Sequence, residues 1–355
     1  MRKAKQIPLA TAAAASLAKE QCSSAETARY KAQVVEGLSV GRHSMADLTG
    51  GLGVDFSALA PLFDKAVYLE RNAALCDIAR TNFSEGLASG RVSVVCGDGL
   101  SWLEEFSSEG KRLNLLFLDP ARRDGAGRRV SAISDCQPDA AVSAPRLVEA
   151  AEAVMVKLSP MLDITLAVRQ LRYVTQVHAV SLGRECKELL FVLDRNADGA
   201  DPLIVAADAA ASHPPFCFRQ SEEAAAEARI ASDIWKFLYE PSPAVMKAGA
   251  FKLVAARYGL EKLHPNTHLY TGKEYVAAFP GRRFEVESVM GFSKADVRTL
   301  KAATGGKANL AVRNFPGNAE EIRRRLKVKD GGLHYVFATT LADGRHVLID
   351  CLKAE

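Results

Sequence analysis

MADLTGGLGVDF, Met45 to Phe56, runs from apolar residues into an acid, Asp47, then through Gly50, Gly51 and Gly53 into a helical pattern. Glycines at such a turn let the backbone approach a ligand closely. Turns of this kind serve NAD, FAD, nucleotides and S-adenosylmethionine alike. The spacing here is G-G-x-G, not the G-x-G-x-x-G of dinucleotide sites, and no Gly-Lys-Ser/Thr follows as a Walker loop requires. A carboxylate at Asp47, ending the first strand, would repel a pyrophosphate but suit a ligand bearing an ammonium group.

Outward from this turn, strand and helix alternate at parallel-sheet spacing. The strands read SMADL, KAVYLE, RVSVVCGD, LNLLFLDP and AVMVKLSP, with helices between them, and Pro61 bends or ends the helix that starts at Gly53. AALCDIARTNFSEG reads as one helix closed by Gly86. LNLLFLDP is apolar nearly throughout, as the buried centre of a parallel sheet should be. VTQVHAVSL and KELLFVLD follow across a short polar link, too short for a parallel crossover, so the sheet ends in a hairpin. Four successive strands end in acids: Asp47, Glu70, Asp98 and Asp119. Any single one is an ordinary polar strand end; four in register mark the carboxyl edge, where open α/β sheets bind ligands.

These residues resemble the class I S-adenosylmethionine-dependent methyltransferases over about residues 30–195. DLTGGLG resembles the first motif, with Thr49 where the commonest form has glycine; YLERN resembles the second, CGDG the third and FLDPAR the fourth. The resemblance implies an α/β fold, a Rossmann-like seven-stranded methyltransferase sheet with an antiparallel terminal hairpin, and S-adenosylmethionine as cofactor over Gly50–Gly53. Asp47 would lie near its methionine end, Glu70 on the ribose hydroxyls and Asp98 near the adenine. The cofactor-binding candidates are Asp47, Thr49, Gly50, Gly51, Gly53, Asp55, Glu70, Arg71, Asn72, Gly97, Asp98 and Gly99.

Together with EQCSSAETARYKA, DPARRD, EPSPAVMKAGAFKL, LHPNTHLY and VRNFPGNAEEIRRRLKVKDGG, these motifs are similar to a bacterial family with a methyltransferase domain followed by two small α+β domains, one ferredoxin-like and one THUMP-like. THUMP domains are RNA-binding modules of RNA-modifying enzymes, so the resemblance implies RNA, a tRNA or rRNA, as partner. The expected division is a helical lead-in over 1–38, the methyltransferase domain over 39–195, the ferredoxin-like domain over 196–281 and the THUMP-like domain over 282–355. Against that pattern the N-terminus is short, which implies a leading segment.

Methyl transfer is an in-line displacement, and the protein's task is to align the reactants and accept a proton. Asp119 is the candidate for orienting or deprotonating the target, although an Asp-Pro pair also makes a turn. Pro120, Arg122 and Lys157 complete the catalytic candidates. Exocyclic-amine methyltransferases carry Pro-Pro and an aromatic after the acid; Ala121 and Arg122 stand here instead, which argues against that chemistry. Carbon methylation with a cysteine nucleophile ranks lower still, since no cysteine after the fifth strand has a suitable context. Arg122, Arg123, Arg128 and Arg129 share a loop that would bind phosphate or be merely a basic surface. Lys157 interrupts an apolar strand and must pair, with Asp119 for instance, or snorkel.

From Arg282 onward there are 14 Lys and Arg against 9 Asp and Glu, so the chain's net charge of +4 resides in its last fifth. The substrate-binding candidates are Arg123 and, in this basic region, Lys307, Arg313, Arg323, Arg324, Arg325 and Lys327. Cations after a helix also suit its dipole without any RNA. The region itself reads as β-α-β-α-β-β. Before it, EAAAEARIASDIWKFLYEP and PAVMKAGAFKLVAARYG read as helices and LEKLHPNTHLYTGKEY as a loop, with His264 and His268 packing rather than holding metal; no metal is expected. Seven scattered cysteines without a C-x-x-C pair fit a reducing compartment. No apolar run reaches the ~18 residues of a membrane span. The alanine-rich N-terminus reads as a helical lead-in rather than a signal peptide, so the expected location is cytoplasmic.

Three functions stay open at this level. The first is an S-adenosylmethionine-dependent RNA methyltransferase. The second is an RNA-binding protein whose methyltransferase domain holds cofactor without transferring. The third, an NAD-dependent oxidoreductase, is disfavoured by the terminal hairpin and Asp119-Pro120.

Overall fold

The computed structural model describes residues 23–122, 132–211 and 213–354, with the backbone alone at Arg122. They fall into two compact units, divided after Ala211.

In the first unit, helix α1 (Ala25–Glu36) is capped by Ser24, whose hydroxyl oxygen accepts the Thr27 N–H at 3.2 Å. The alternation then runs β1 (Ser44–Asp47), α2 (Val54–Leu59), β2 (Lys65–Glu70), α3 (Ala73–Asn82), α4 (Ser84–Ala88), β3 (Val92–Cys96), α5 (Gly99–Ser108) and β4 (Leu113–Leu118). After the segment outside the described residues come α6 (Ala140–Ala150), β5 (Ala151–Leu158), α7 (Ile164–Leu171), the hairpin β6 (Val174–Leu182) and β7 (Glu185–Leu193), and β8 (Leu203–Asp208). Within this unit the sheet order is β8-β6-β7-β5-β4-β1-β2-β3, with β7 antiparallel to both its neighbours. Seven of these strands form the methyltransferase sheet and its terminal hairpin. β8 is an eighth, parallel to β6, and the two compact units divide after Ala211.

β1 lies centrally between β2 and β4, and every residue of β4 is buried. Met45, Phe56, Leu59, Tyr68, Phe117 and Met155 join one core that fixes the Asp47 end of β1. The helix expected to run to Gly86 breaks at Phe83 into α3 and α4.

The second unit contains β9 (Phe216–Arg219), α8 (Gln220–Ala225), β10 (Phe237–Pro241), α9 (Pro243–Ala248), α10 (Leu253–Tyr258), β11 (Glu261–His264) and β12 (Thr267–Gly272). Then follow β13 (Gly281–Met290), α11 (Lys294–Ala303), β14 (Asn309–Arg313), α12 (Ala319–Leu326), β15 (His334–Thr340) and β16 (His346–Lys353). One sheet of order β11-β12-β10-β13-β16-β15-β14 spans the regions expected to be two separate small domains. The join is β10 against β13, with Leu238 opposite Phe284.

Three local expectations in this unit fail. FLYEP, taken as the end of a helix, is strand β10, because pairing with β12 and β13 overrides the alanine-rich run before it. The helix expected over 243–259 is two short ones, broken at Gly249, whose φ is +81°. The expected loop around His264 and His268 is the hairpin β11–β12. His264 Nδ1 accepts the Asn266 N–H at 2.9 Å, and His268 stacks on Phe251 with ring centroids 3.7 Å apart.

Candidate active site

The carboxyl ends of β1 to β5 open into a cleft of about 1080 Å³. Asp47, Glu70, Asp98 and Asp119 all line it, as do Lys157 and the turn Thr49–Gly53. Register does this: Asp47 lies beside Tyr68 of β2 and Phe117 of β4, Glu70 beside Cys96 of β3, and Leu118 beside Val156 of β5. The residues that follow, Asp119 and Lys157, therefore meet.

The turn is built for bare backbone. A Cβ on Gly50 would stand 2.1 Å from the Tyr68 ring. Gly51 and Gly53 have φ of +54° and +78°, in the left-handed region that side chains avoid. The Tyr68 hydroxyl donates to the Gly51 carbonyl, and Glu70 accepts the N–H groups of Gly51 (2.9 Å) and Asn72 (2.8 Å), one on each oxygen. Each carboxylate oxygen keeps a further lone pair for a ligand hydroxyl. Thr49, standing where the family pattern has glycine, accepts the Asp119 N–H on its hydroxyl at 2.6 Å and so ties the first motif to the fourth.

Asp98 caps α5 by accepting the Ser101 N–H at 2.9 Å, and it also accepts from Arg71 Nε at 2.7 Å. Burial opposes its charge, yet the Ser101 N–H and Arg71 hold its carboxyl below the usual value. Gly99 lets α5 approach β1, since a Cβ there would meet the Leu48 carbonyl at 2.4 Å, whereas Gly97 faces open space. Arg71 is thus committed to Asp98.

Asp47 is 1% exposed. Burial pushes its carboxyl up to about 8 against the N–H of Thr49, with the charges of Asp55 and Asp119 adding to the rise. Lys157 reaches Asp119 Oδ2 at 2.6 Å and Asp55 Oδ2 at 3.4 Å. Burial works against its charge, but Asp119, Asp55 and Glu188 outweigh that and hold it protonated. Burial raises the Asp119 carboxyl, with Lys157 opposing.

Asp55, a cofactor candidate from the sequence, is instead taken up by Lys31 (3.1 Å), Lys157 and the Ser23 hydroxyl, which donates to it at 2.8 Å. Lys31, Ser23 and Glu188 were not among the sequence candidates, although Ser23 and Lys31 stand within EQCSSAETARYKA. Lys31 had a signal: it falls with Thr27, Ala28, Val34 and Val35 on the buried face of α1. Seven carboxyl side chains line the cleft against Arg71, Lys157 and Lys187, so it stays negative even with Asp47 neutral, which favours a ligand of net positive charge.

Of the remaining candidates, Pro120 lines the cleft. Arg122 has its backbone in a two-residue bridge to Cys136; Arg123, Arg128 and Arg129 lie outside the described residues. In the second unit the expected cation cluster divides. Lys307 precedes β14 and Arg313 ends it, so a five-residue strand, about 16 Å at 3.3 Å per residue, separates them. Arg313 is held by buried Glu240 at 2.7 Å and Arg323 by Asp330 at 2.9 Å, while Arg325 lies 4.2 Å over the Phe292 ring. Arg324 and Lys327 are exposed. Lys307 is paired in a parallel bridge with Lys329. Among the described residues neither lysine has an ion-pair partner.

Residues 237–280 match the model of a ferredoxin-like domain and residues 281–353 that of a THUMP domain-like family. The chain is similar to a crystal structure from Porphyromonas gingivalis presented as a proposed methyltransferase: identity is 38%, 96% of this chain and 83% of that one are covered, and the TM-score is 0.86. It is also 25% identical, over 92% of its length and 84% of theirs, to two Mycobacterium tuberculosis proteins described as uncharacterised S-adenosylmethionine-dependent methyltransferases. Among the described residues no helix is long and apolar enough to cross a membrane.

Proposed function

The chain belongs to the family of class I S-adenosylmethionine-dependent methyltransferases that carry ferredoxin-like and THUMP-like domains at their C-terminus, and on that premise we propose that it methylates a base of RNA, a tRNA or rRNA. The observation that carries the catalytic part is the Asp119–Lys157 pair at 2.6 Å, opening onto the cleft of strand-end acids.

The cleft fits S-adenosylmethionine. Its size suits a ligand of that kind, Gly50–Gly53 leave a cradle without Cβ atoms, and its charge favours a cation. When bound, the cofactor supplies an electrophilic methyl carbon on a sulfonium. In our reading Glu70 accepts from the ribose hydroxyls, Asp47 ionises beside the methionine ammonium, and Gly97 leaves room near the adenine. Asp119 would take the proton that the target atom loses as its lone pair bonds to the methyl carbon and the carbon–sulfur bond breaks, its electron pair staying on the departing thioether. Lys157 stays protonated and holds Asp119 in its charged form.

The RNA part is supported by the second unit. Lys307 and Lys329 stand directly opposed, with Lys327 nearby on its exposed side. Like charges opposed across a strand pair are destabilising, and a phosphate would relieve them. Arg313 does not belong to this edge in our reading.

The test is tritiated methyl transfer to fractionated bacterial RNA, followed by nucleoside mass spectrometry. We expect one methylated nucleoside, absent with Asp119→Ala while calorimetric affinity for S-adenosylhomocysteine persists. Cofactor binding with no incorporation by the wild type into any RNA fraction would instead favour an RNA-binding role.

A further inference from the structure

The methyl-transfer reading uses Asp119 and Lys157 but leaves Lys31 and Glu188 without a task. Both are buried, and neither belongs to the four strand-end motifs. Lys31 Nζ meets Glu188 Oε1 at 2.6 Å and Asp55 Oδ1 at 3.1 Å. Lys157 then meets Asp55 at 3.4 Å and Asp119 at 2.6 Å. The charges alternate in a chain from Glu188 on β7, through Lys31 on α1, Asp55 on α2 and Lys157 on β5, to Asp119 after β4. Ser23 bridges the middle: its hydroxyl donates to Asp55 and accepts from Lys31 (3.1 Å) and Lys157 (3.2 Å).

Such a chain is a poor way to stabilise a fold, because desolvating five charges costs more than packing apolar groups in their place. Its far end, however, is the cleft. Asp119 is 34% exposed there, whereas Asp55 is only 10% exposed. Left alone with Lys157, the more buried Asp55 would hold the ammonium more strongly, since attraction rises as water is excluded. Lys31 saturates Asp55, and Glu188 in turn anchors Lys31. Lys157 therefore sits nearer Asp119 than Asp55.

We propose that Lys31 and Glu188 are positioning residues for methyl transfer: they occupy Asp55 so that Lys157 turns to Asp119 and keeps that carboxylate ionised, ready to receive the acceptor's proton. This rests on the methyltransferase reading and adds to it a role for the N-terminal helix.

The other polar and titratable groups around the chain are Asp47 on β1, Thr27 on α1, and Glu185, Cys186 and Lys187 at the start of β7. His178 on β6, bonded to the Tyr30 hydroxyl at 2.8 Å, is pushed down to about 4 by burial and stays neutral. Burial lifts the Asp47 carboxyl as it lifts that of Asp119, so the carboxyl titration alone is read in an Asp47→Asn background, and turnover is compared in chains that keep Asp47.

The test compares wild type, Lys31→Met, Lys31→Arg and Glu188→Gln. Carbon-13 NMR of labelled aspartate carboxyls, with Asp119 assigned from Asp119→Asn, reads its titration without any acceptor. Loss of the partner charge should raise the Asp119 midpoint by about one pH unit in Lys31→Met and less in Lys31→Arg. In methyl transfer to bacterial RNA, Lys31→Met should lower kcat about 10–100-fold and move the acidic limb of the kcat profile upward. Part of the rate should return at high pH and in Lys31→Arg, and S-adenosylhomocysteine should bind as before. An unmoved Asp119 midpoint in a folded Lys31→Met overturns the proposal, as does a loss equal at every pH. A wild type that neither binds S-adenosylhomocysteine nor transfers sinks the methyltransferase reading itself, which the unmoved midpoint alone would not.

Discussion

Thr49 shows how one side chain can join two motifs. Its hydroxyl accepts the Asp119 N–H at 2.6 Å, so Thr49→Val would leave that donor unpaired. We expect a loss of about 1–3 kcal/mol, read by urea unfolding, with Thr49→Ser near wild type. Gly50→Ala should cost about 1–3 kcal/mol by overpacking, because its Cβ would overlap the Tyr68 ring at 2.1 Å. Asp47 makes stability depend on pH. Its folded carboxyl keeps a proton up to about 8, whereas in the unfolded chain it ionises near the ordinary value of about 4. Between those values the folded state binds the extra proton, so this group's contribution to stability falls as pH rises through the window. Asp47→Asn should flatten that fall; parallel stability–pH curves for variant and wild type would show that Asp47 is not its source. The acids at the strand ends were legible in the sequence because each directly follows an apolar run. Their partners were not, because nothing local says that Asp98 faces Arg71 or that Asp55 faces two lysines.

Among the elements, α1 contributes most beyond its local pattern. Its cap is Ser24, and Ser24→Ala should cost about 1 kcal/mol in thermal or urea unfolding. Its Thr27 and the preceding Ser23 line the cleft, while Lys31 lies buried behind it in the charge chain, and this depends on contacts with α2, β6 and β7, far away in the chain. The parallel strands and the β6–β7 hairpin were legible because period, length and short connection agreed. The stretch 220–272 was misread because alanine-rich propensity and a polar, proline-containing turn gave local signals that strand pairing overrode.

At the scale of the whole molecule, the chain divides into two compact units after Ala211. In the second, Glu240 on β10 accepts from Arg282 on β13 and Arg313 at the end of β14, bracing the matched ferredoxin-like and THUMP-like regions within one sheet. Glu240→Ala should cost about 1–3 kcal/mol, less than a fully buried pair because both guanidinium groups are partly exposed. If the Lys307–Lys329 edge binds RNA phosphates, neutralising Lys307, Lys327 and Lys329 should weaken binding at low salt. It should also reduce the salt slope by about 0.7 for each single-strand phosphate no longer neutralised, as measured by fluorescence anisotropy across salt concentrations. The amino-acid sequence by itself determined the parallel sheet, its hairpin ending, the glycine turn and the four strand-end acids, since each is a short-range pattern of polarity and backbone freedom. Only the tertiary structure decided the eighth strand, the single sheet of the second unit, the separation of Lys307 from Arg313, and the charge chain from Glu188 to Asp119. Those depend on strand register and on which distant side chains exclude water together, and no local pattern encodes either.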